Sequence, residues 1–268
     1  MSSLQVKNTV LEPGRPKVVV PIVSTTPQEI VEEVERAKTL PCDIIEWRAD
    51  YYLAAMDDLD GNLIKKDTYL EMVKLLDDIN YIADDMPIIF TVRRKGQGGE
   101  VEITKEQNDS IWSLVAQSGL VDFIDVELFD EKGTVDEARL EDQIRQIHGY
   151  GCHVILSHHD FQKMPSPMEL VNLVKNMKKL GADVCKVAAM AADQHDAENL
   201  LKATAYLMKN GIGQLAMMAM GEAGTSTRVA AGRYGSCFTF AAGSAKSAPG
   251  QVDVYTMQQW LDAYYGKE

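Results

Sequence analysis

Lys186 lies inside the apolar run DVCKVAAM, Asp183 to Met190. An ammonium held in apolar surroundings carries a large desolvation cost, which lowers its pKa. A neutral amine near pH 7 attacks a ketone and forms an imine. A snorkelling or ion-paired lysine at a strand end leaves the same trace in a sequence, so the neighbouring residues decide. His159 closes the preceding apolar run, in SHHDF. Imine chemistry needs a proton carrier for the carbinolamine and for a C–H bond, and histidine titrates in the right range. His158 is adjacent, and strand alternation points the two rings to opposite faces, so one of them serves a site.

Arg48, Arg93 and Arg228 follow three other apolar runs. Arginine grips carboxylates with two parallel hydrogen bonds, although surface ion pairing is the ordinary fate of arginines in an acidic chain. Glu46 and Glu127 are plausible orienting partners. Carboxylates without convergent histidines at ligand spacing do not specify a metal. The stretch Gly243 to Gln251 is rich in Gly, Ala and Ser, which permits hinge motion. Ser247 and Gln251 there can reach substrate hydroxyls on closure. The many methionines, MMAM included, read as core filling.

These residues need a scaffold that brings run ends together. The chain alternates β-rich apolar runs with amphipathic stretches: KVVVPIV, DIIEWR, PIIFTV, VDFIDVELF, HVILSH, DVCKVAAM, QLAMMAM and CFTFAA. The first helix starts at Thr-Thr-Pro, a capped first turn. Later helical patterns lie near 67–79, 104–119, 135–149, 167–181, 194–210, 228–234 and 254–265. Apolar strands separated by helices imply a parallel sheet covered on both faces. Eight such units, with no composition break, predict a single (β/α)8 barrel, a TIM barrel, over residues 1–268. An open doubly wound sheet would favour a glycine-rich phosphate loop after the first strand, where the chain reads VSTTPQE. Residues Leu4 to Val10, around Pro13-Gly14, are expected to form a hairpin closing the barrel's N-terminal end.

The 268 residues are 46% hydrophobic, enough for one sizeable core. The net charge of −13 repels phosphate backbones and anionic membranes, so neither nucleic acid nor a membrane is an expected partner. Clustered arginines still leave room for a small anionic substrate. The four cysteines form no CxxC pair and fit buried thiols in a reducing compartment. With no basic n-region and no membrane-length apolar run, a cytoplasmic protein is expected.

Together, IIEWRAD, IIFTVRRKGQGGE, DVELF, SHHDF, CKVAAM, MMAMGEAGTSTR and KSAPGQ resemble the type I 3-dehydroquinate dehydratases of the shikimate pathway, in the family's order and nearly end to end. The resemblance implies a (β/α)8 barrel, usually a homodimer, that needs no metal or organic cofactor. It implies syn elimination of water from 3-dehydroquinate to 3-dehydroshikimate. Lys186 then forms the imine with the C3 ketone and His159 is the general acid/base. Arg228 clamps the carboxylate, and Glu46, Arg48 and Arg93 line the hydroxyl-binding side. Ser247 and Gln251 belong to the closing loop, and Met218, Met220 and Phe240 to the apolar wall. One departure is Gln97, where the family usually has a glutamate near the histidine. Gln can orient an imidazole but cannot balance an imidazolium, so a lower histidine pKa is expected, unless Glu100 folds inward instead. Two other readings stand beside this one. A Schiff-base aldolase would not need a carboxylate clamp with a KSAPGQ-type lid. A silent binding barrel is expected to have lost the lysine or the histidine.

Overall fold

The computed structural model describes residues 3–56 and 66–267. A short antiparallel hairpin, β1 (Leu4–Val6) and β2 (Thr9–Leu11), precedes the main sheet. Eight parallel strands follow: β3 (Lys17–Ile22), β4 (Ile44–Arg48), β5 (Ile88–Thr91), β6 (Phe123–Glu127), β7 (His153–Asp160), β8 (Val184–Met190), β9 (Gln214–Met220) and β10 (Phe238–Phe240). Their spatial order is β10-β3-β4-β5-β6-β7-β8-β9. The ring closes where Leu215 bridges Ser236, and the Cys237 amide donates to the Leu215 carbonyl at 2.7 Å. This is the predicted (β/α)8 barrel.

The helices run outside it. They are α1 (Pro27–Lys38), α2 (Ala49–Ala55), α3 (Lys66–Ala83), α4 (Lys105–Ser118), α5 (Glu137–Gly149), α6 (Pro167–Lys179), α7 (Gln194–Lys209), α8 (Thr227–Tyr234) and α9 (Val254–Tyr265). Capping explains several starts. Thr26 accepts the Glu29 amide just ahead of Pro27, and Thr104 and Ser166 form capping boxes with Gln107 and Glu169. Among the described residues, no helix is long and apolar enough to cross a membrane.

The strands show a two-residue period with both phases buried. Val18, Val20, Ile45, Trp47, Phe90, Ile124 and Leu156 face the helices. The opposite phase opens with Val19, Ile44, Ile89, Phe123, Ile155 and Val184, which fill the barrel interior. Two residues further along that inward phase the chain becomes polar: Glu46, Thr91, Asp125, Ser157 and Lys186. The barrel is therefore apolar at its N-terminal end and charged at its C-terminal end. Val6 and Leu11 of the hairpin pack into the apolar end and plug it.

Three details differ from the sequence reading. The hairpin turns at Lys7-Asn8, with Lys7 at φ 48°, and Pro13-Gly14 lies beyond it. Strand β7 runs on to Asp160, so His159 is inside the strand, paired in register with Ala188. Helix α2 was not expected, because its first turn has no side-chain cap to announce it.

Candidate active site

The C-terminal mouth of the barrel holds a pocket. Its wall includes Glu46, Arg48, Arg93, His159, Lys186, Arg228, Ser247 and Gln251, and so brings together every site residue expected from the sequence. Met218, Met220 and Phe240 supply apolar wall, as expected.

Lys186 is only 4% exposed. Its setting differs from the apolar one that its sequence neighbours suggest. Nζ lies 3.0 Å from Asp125 Oδ2 and 3.4 Å from Glu46 Oε1. It also sits 4.4 Å from the centroid of the Phe240 ring, whose face attracts a cation. The apolar neighbours in the strand point to the helices, and the inward side chain meets acids from β4 and β6.

Arg93 shares Asp125 with Lys186 and reaches Glu127 as well. Nη2 donates to Asp125 at 2.9 Å, and Nη1 to Ser157 at 2.9 Å and Glu127 at 3.3 Å. Glu127 orients Arg93 and also receives Arg94 Nε at 2.5 Å. Glu46 accepts from Thr91 at 2.9 Å. Arg48 is held instead by Asp50, bidentate at 2.8 Å through Nε and Nη2.

Arg228 stands apart. It is 2% exposed, yet no acid pairs with it among the described residues. Nη2 donates to the Pro249 carbonyl at 2.9 Å, and Nε is buried without a partner. Burial alone pulls its pKa down to about 10. The side chain is a buried cation with unused donors, a receptor for an anion.

His159 is half-buried, and its Nδ1 has no hydrogen-bond partner among the described residues. Burial, with Arg93, Lys186 and Arg48 nearby, holds the imidazole well below the ordinary histidine range, so at neutral pH it is an uncharged base. Among the described residues, no hydrogen bond joins Gln97 to the ring. Its Oε1 accepts the His159 main-chain N–H at 2.8 Å. Gln97 thus fixes the strand, and burial among cations, not the missing carboxylate alone, lowers the imidazole. Glu100 stays exposed and does not substitute. His158 points to the other face, edge-on to Phe129 at 4.7 Å.

The loop between β10 and α9 covers the pocket. The Ser247 amide donates to Gln251 Oε1 at 2.8 Å, and Gln251 Nε2 returns a bond to Ser247 Oγ at 3.0 Å. Gly250 adopts φ 77°, and a Cβ there would stand 2.6 Å from the Gly221 carbonyl, so only glycine seats this loop on the β9–α8 turn. Among the described residues, no three His, Cys, Asp or Glu side chains converge as a metal cage.

A profile of the type I 3-dehydroquinase family matches residues 18–268. The chain belongs to the type I 3-dehydroquinase family. Family membership makes it a hydro-lyase. The chain is 36% identical over 262 residues to the 3-dehydroquinate dehydratase of Listeria welshimeri, covering 98% of each. It is 35% identical over 271 residues to that of Clostridium kluyveri, covering 98% of this chain and 99% of the other. Among solved structures it is similar to the type I 3-dehydroquinate dehydratase of Clostridium difficile with covalently modified comenic acid, at TM-score 0.87 and 30% identity, covering 98% of each chain.

Sequence reasoning gave no role to Asp50, Asp125, Ser157 or Phe161 in this type I 3-dehydroquinase. Asp125 and Ser157 share the inward phase with Glu127 and His159, a signal available in the sequence. Asp50 and Phe161 lie just past strand positions, where no period marks them.

Proposed function

We propose that this chain is a 3-dehydroquinate dehydratase of the shikimate pathway, eliminating water from 3-dehydroquinate in the syn sense through an imine on Lys186. One observation carries the reading. A lysine amine and a buried guanidinium that no acid among the described residues neutralises share one small pocket with an uncharged histidine.

Arg228 takes the substrate carboxylate. Its desolvation is already met on folding, so an arriving anion gains a preorganised partner. Lys186 attacks the C3 ketone and leaves an iminium, which withdraws electrons from the neighbouring C–H bond. His159 takes that proton. The enamine then expels the hydroxyl on the next carbon, and the protonated His159 returns its proton to it as water. One residue takes the proton and protonates the leaving group, so both events fall on one face of the ring, which is syn elimination. Hydrolysis of the product imine frees Lys186 and 3-dehydroshikimate. Glu46, Arg48 and Arg93, fixed by their partners, hold the substrate hydroxyls, and Ser247 and Gln251 close over them.

Residues 1–268 act as one catalytic barrel in this reading, with a homodimer as the assembly usual in the family. Cys42, Cys152, Cys185 and Cys237 are all free, which supports a reducing, cytoplasmic setting. The test is turnover of 3-dehydroquinate, followed by ultraviolet absorbance of the conjugated enone. The wild-type chain is expected to produce it and Lys186→Ala to produce none. A wild-type chain inert toward 3-dehydroquinate but active in aldol cleavage refutes the reading.

A further inference from the structure

Asp125 lies beneath the pocket wall and enters the reading above only as a partner of Arg93. Its side chain is 0% exposed. Oδ2 is 3.0 Å from Lys186 Nζ and 2.9 Å from Arg93 Nη2, and Oδ1 accepts Ser157 Oγ at 2.5 Å. We infer that Asp125 is a further catalytic residue: a permanent anionic counter-ion to the reacting Lys186 nitrogen, which favours its cationic states and takes no proton. This rests on the imine reading.

Charge balance gives the argument. The ammonium and the ketone become an iminium and water. A C=N bond forms, the C–O bond breaks, and two ammonium protons leave on the oxygen, relayed through His159. Nitrogen carries one positive charge before and after, so a fixed anion suits both states. When His159 takes the C–H proton, the electron pair moves to nitrogen and the enamine is neutral there. Expulsion of the hydroxyl restores the iminium. An anion 3.0 Å away opposes the neutral enamine and favours the expulsion that ends it. The Phe240 face beside Nζ acts in the same sense.

Asp125 is poorly made for a base. Burial pushes its carboxyl up, but Arg93, Lys186 and the Ser157 hydrogen bond outweigh burial and hold it below the ordinary carboxylate range. Glu46 is farther from Nζ and lines the pocket, where substrate can occupy it. The other charged and titratable groups around this nitrogen are Arg48 on β4, Arg93 after β5, Glu127 on β6, His159 on β7 and Arg228 on α8.

The test traps the imine on the full chain with 3-dehydroquinate and borohydride, and follows the rate of Lys186 adduct formation against pH. In Asp125→Asn the ammonium loses its nearer anion and keeps Glu46 at 3.4 Å. The profile is expected to move to lower pH by about one unit, and kcat to fall roughly 10²–10³-fold. Ser157→Ala keeps the carboxylate but removes a donor that disperses its charge, so its profile is expected to move the opposite way, to higher pH. A folded Asp125→Asn with an unmoved profile overturns the assignment, even if its activity is low, and so do shifts of the same sign in both variants. If Asp125→Asn does not fold, Ser157→Ala decides alone: an upward shift supports the assignment, and none overturns it. A wild-type chain that traps no adduct sinks the imine reading itself, and the assignment with it.

Discussion

At the residue scale, the pocket is built from charges whose partners are matched unequally. Lys186, Arg48 and Arg93 each have acids, whereas Arg228 has none among the described residues. A guanidinium whose pKa drops from its ordinary value to about 10 on folding destabilises the fold by about 3 kcal/mol. The sign is that of a base lowered on folding. The penalty is full below pH 10 and fades as pH rises above it toward the ordinary guanidinium value. Arg228→Met is therefore expected to raise Tm by several degrees while raising KM roughly 10²-fold or more, as a lost charged contact does. Calorimetry and steady-state kinetics check both, and a lower Tm contradicts the account. His159 gives a pH test. The base is the neutral imidazole, so its contribution to kcat/KM is lost as pH drops through its lowered value. The acid limb is expected below the ordinary histidine value of 6.5. Gln97→Glu places a carboxylate nearby and is expected to move that limb upward. A limb already at 6.5 or above in the wild type speaks against the burial argument.

At the element scale, the site depends on where strands stop and how loops seat. Gln97 sits in a short 3-10 turn, Lys95–Gln97, and ties that turn to β7 through the His159 amide. The closing loop is tied to Arg228 through Pro249 and seated on Gly221 through Gly250. Gly250→Ala is expected to unseat the loop, raising KM several-fold with a smaller change in Tm, because a Cβ there meets backbone and a left-handed φ. A KM unchanged in that variant contradicts the role given to the loop. Much of this was legible beforehand. Apolar runs alternating with helical periods predicted the barrel, and polar residues at run ends predicted the pocket wall. The ion-pair network was not. Lys186 and Glu46 are 140 residues apart, and no local pattern says which acid meets which base. The run DVCKVAAM reads as uniformly apolar because one of its faces packs on helices. The hydrogen bond of Gln97 to main chain, not to the ring, depends on loop geometry that spacing does not specify.

At the scale of the whole molecule, stability and chemistry occupy opposite ends of the barrel. The N-terminal end is sealed by Val6 and Leu11, and the C-terminal end carries every charged group of the pocket. Leu11 is 0% exposed, so Leu11→Ala is expected to cost about 2–5 kcal/mol of stability, with kcat and KM near wild type well below Tm. Denaturant melts beside kinetics test that separation, and a large kcat loss in a folded variant breaks it. The net charge of −13 surrounds a mouth lined by arginines, so attraction for an anionic substrate is local to the pocket. The central claim is a covalent bond at Lys186. The direct measurement is borohydride reduction of the chain mixed with 3-dehydroquinate, followed by peptide mass spectrometry. The expected result is a single reduced adduct on the peptide carrying Lys186, absent from Lys186→Ala. Turnover of 3-dehydroquinate with no adduct, or an adduct on another lysine, contradicts the account.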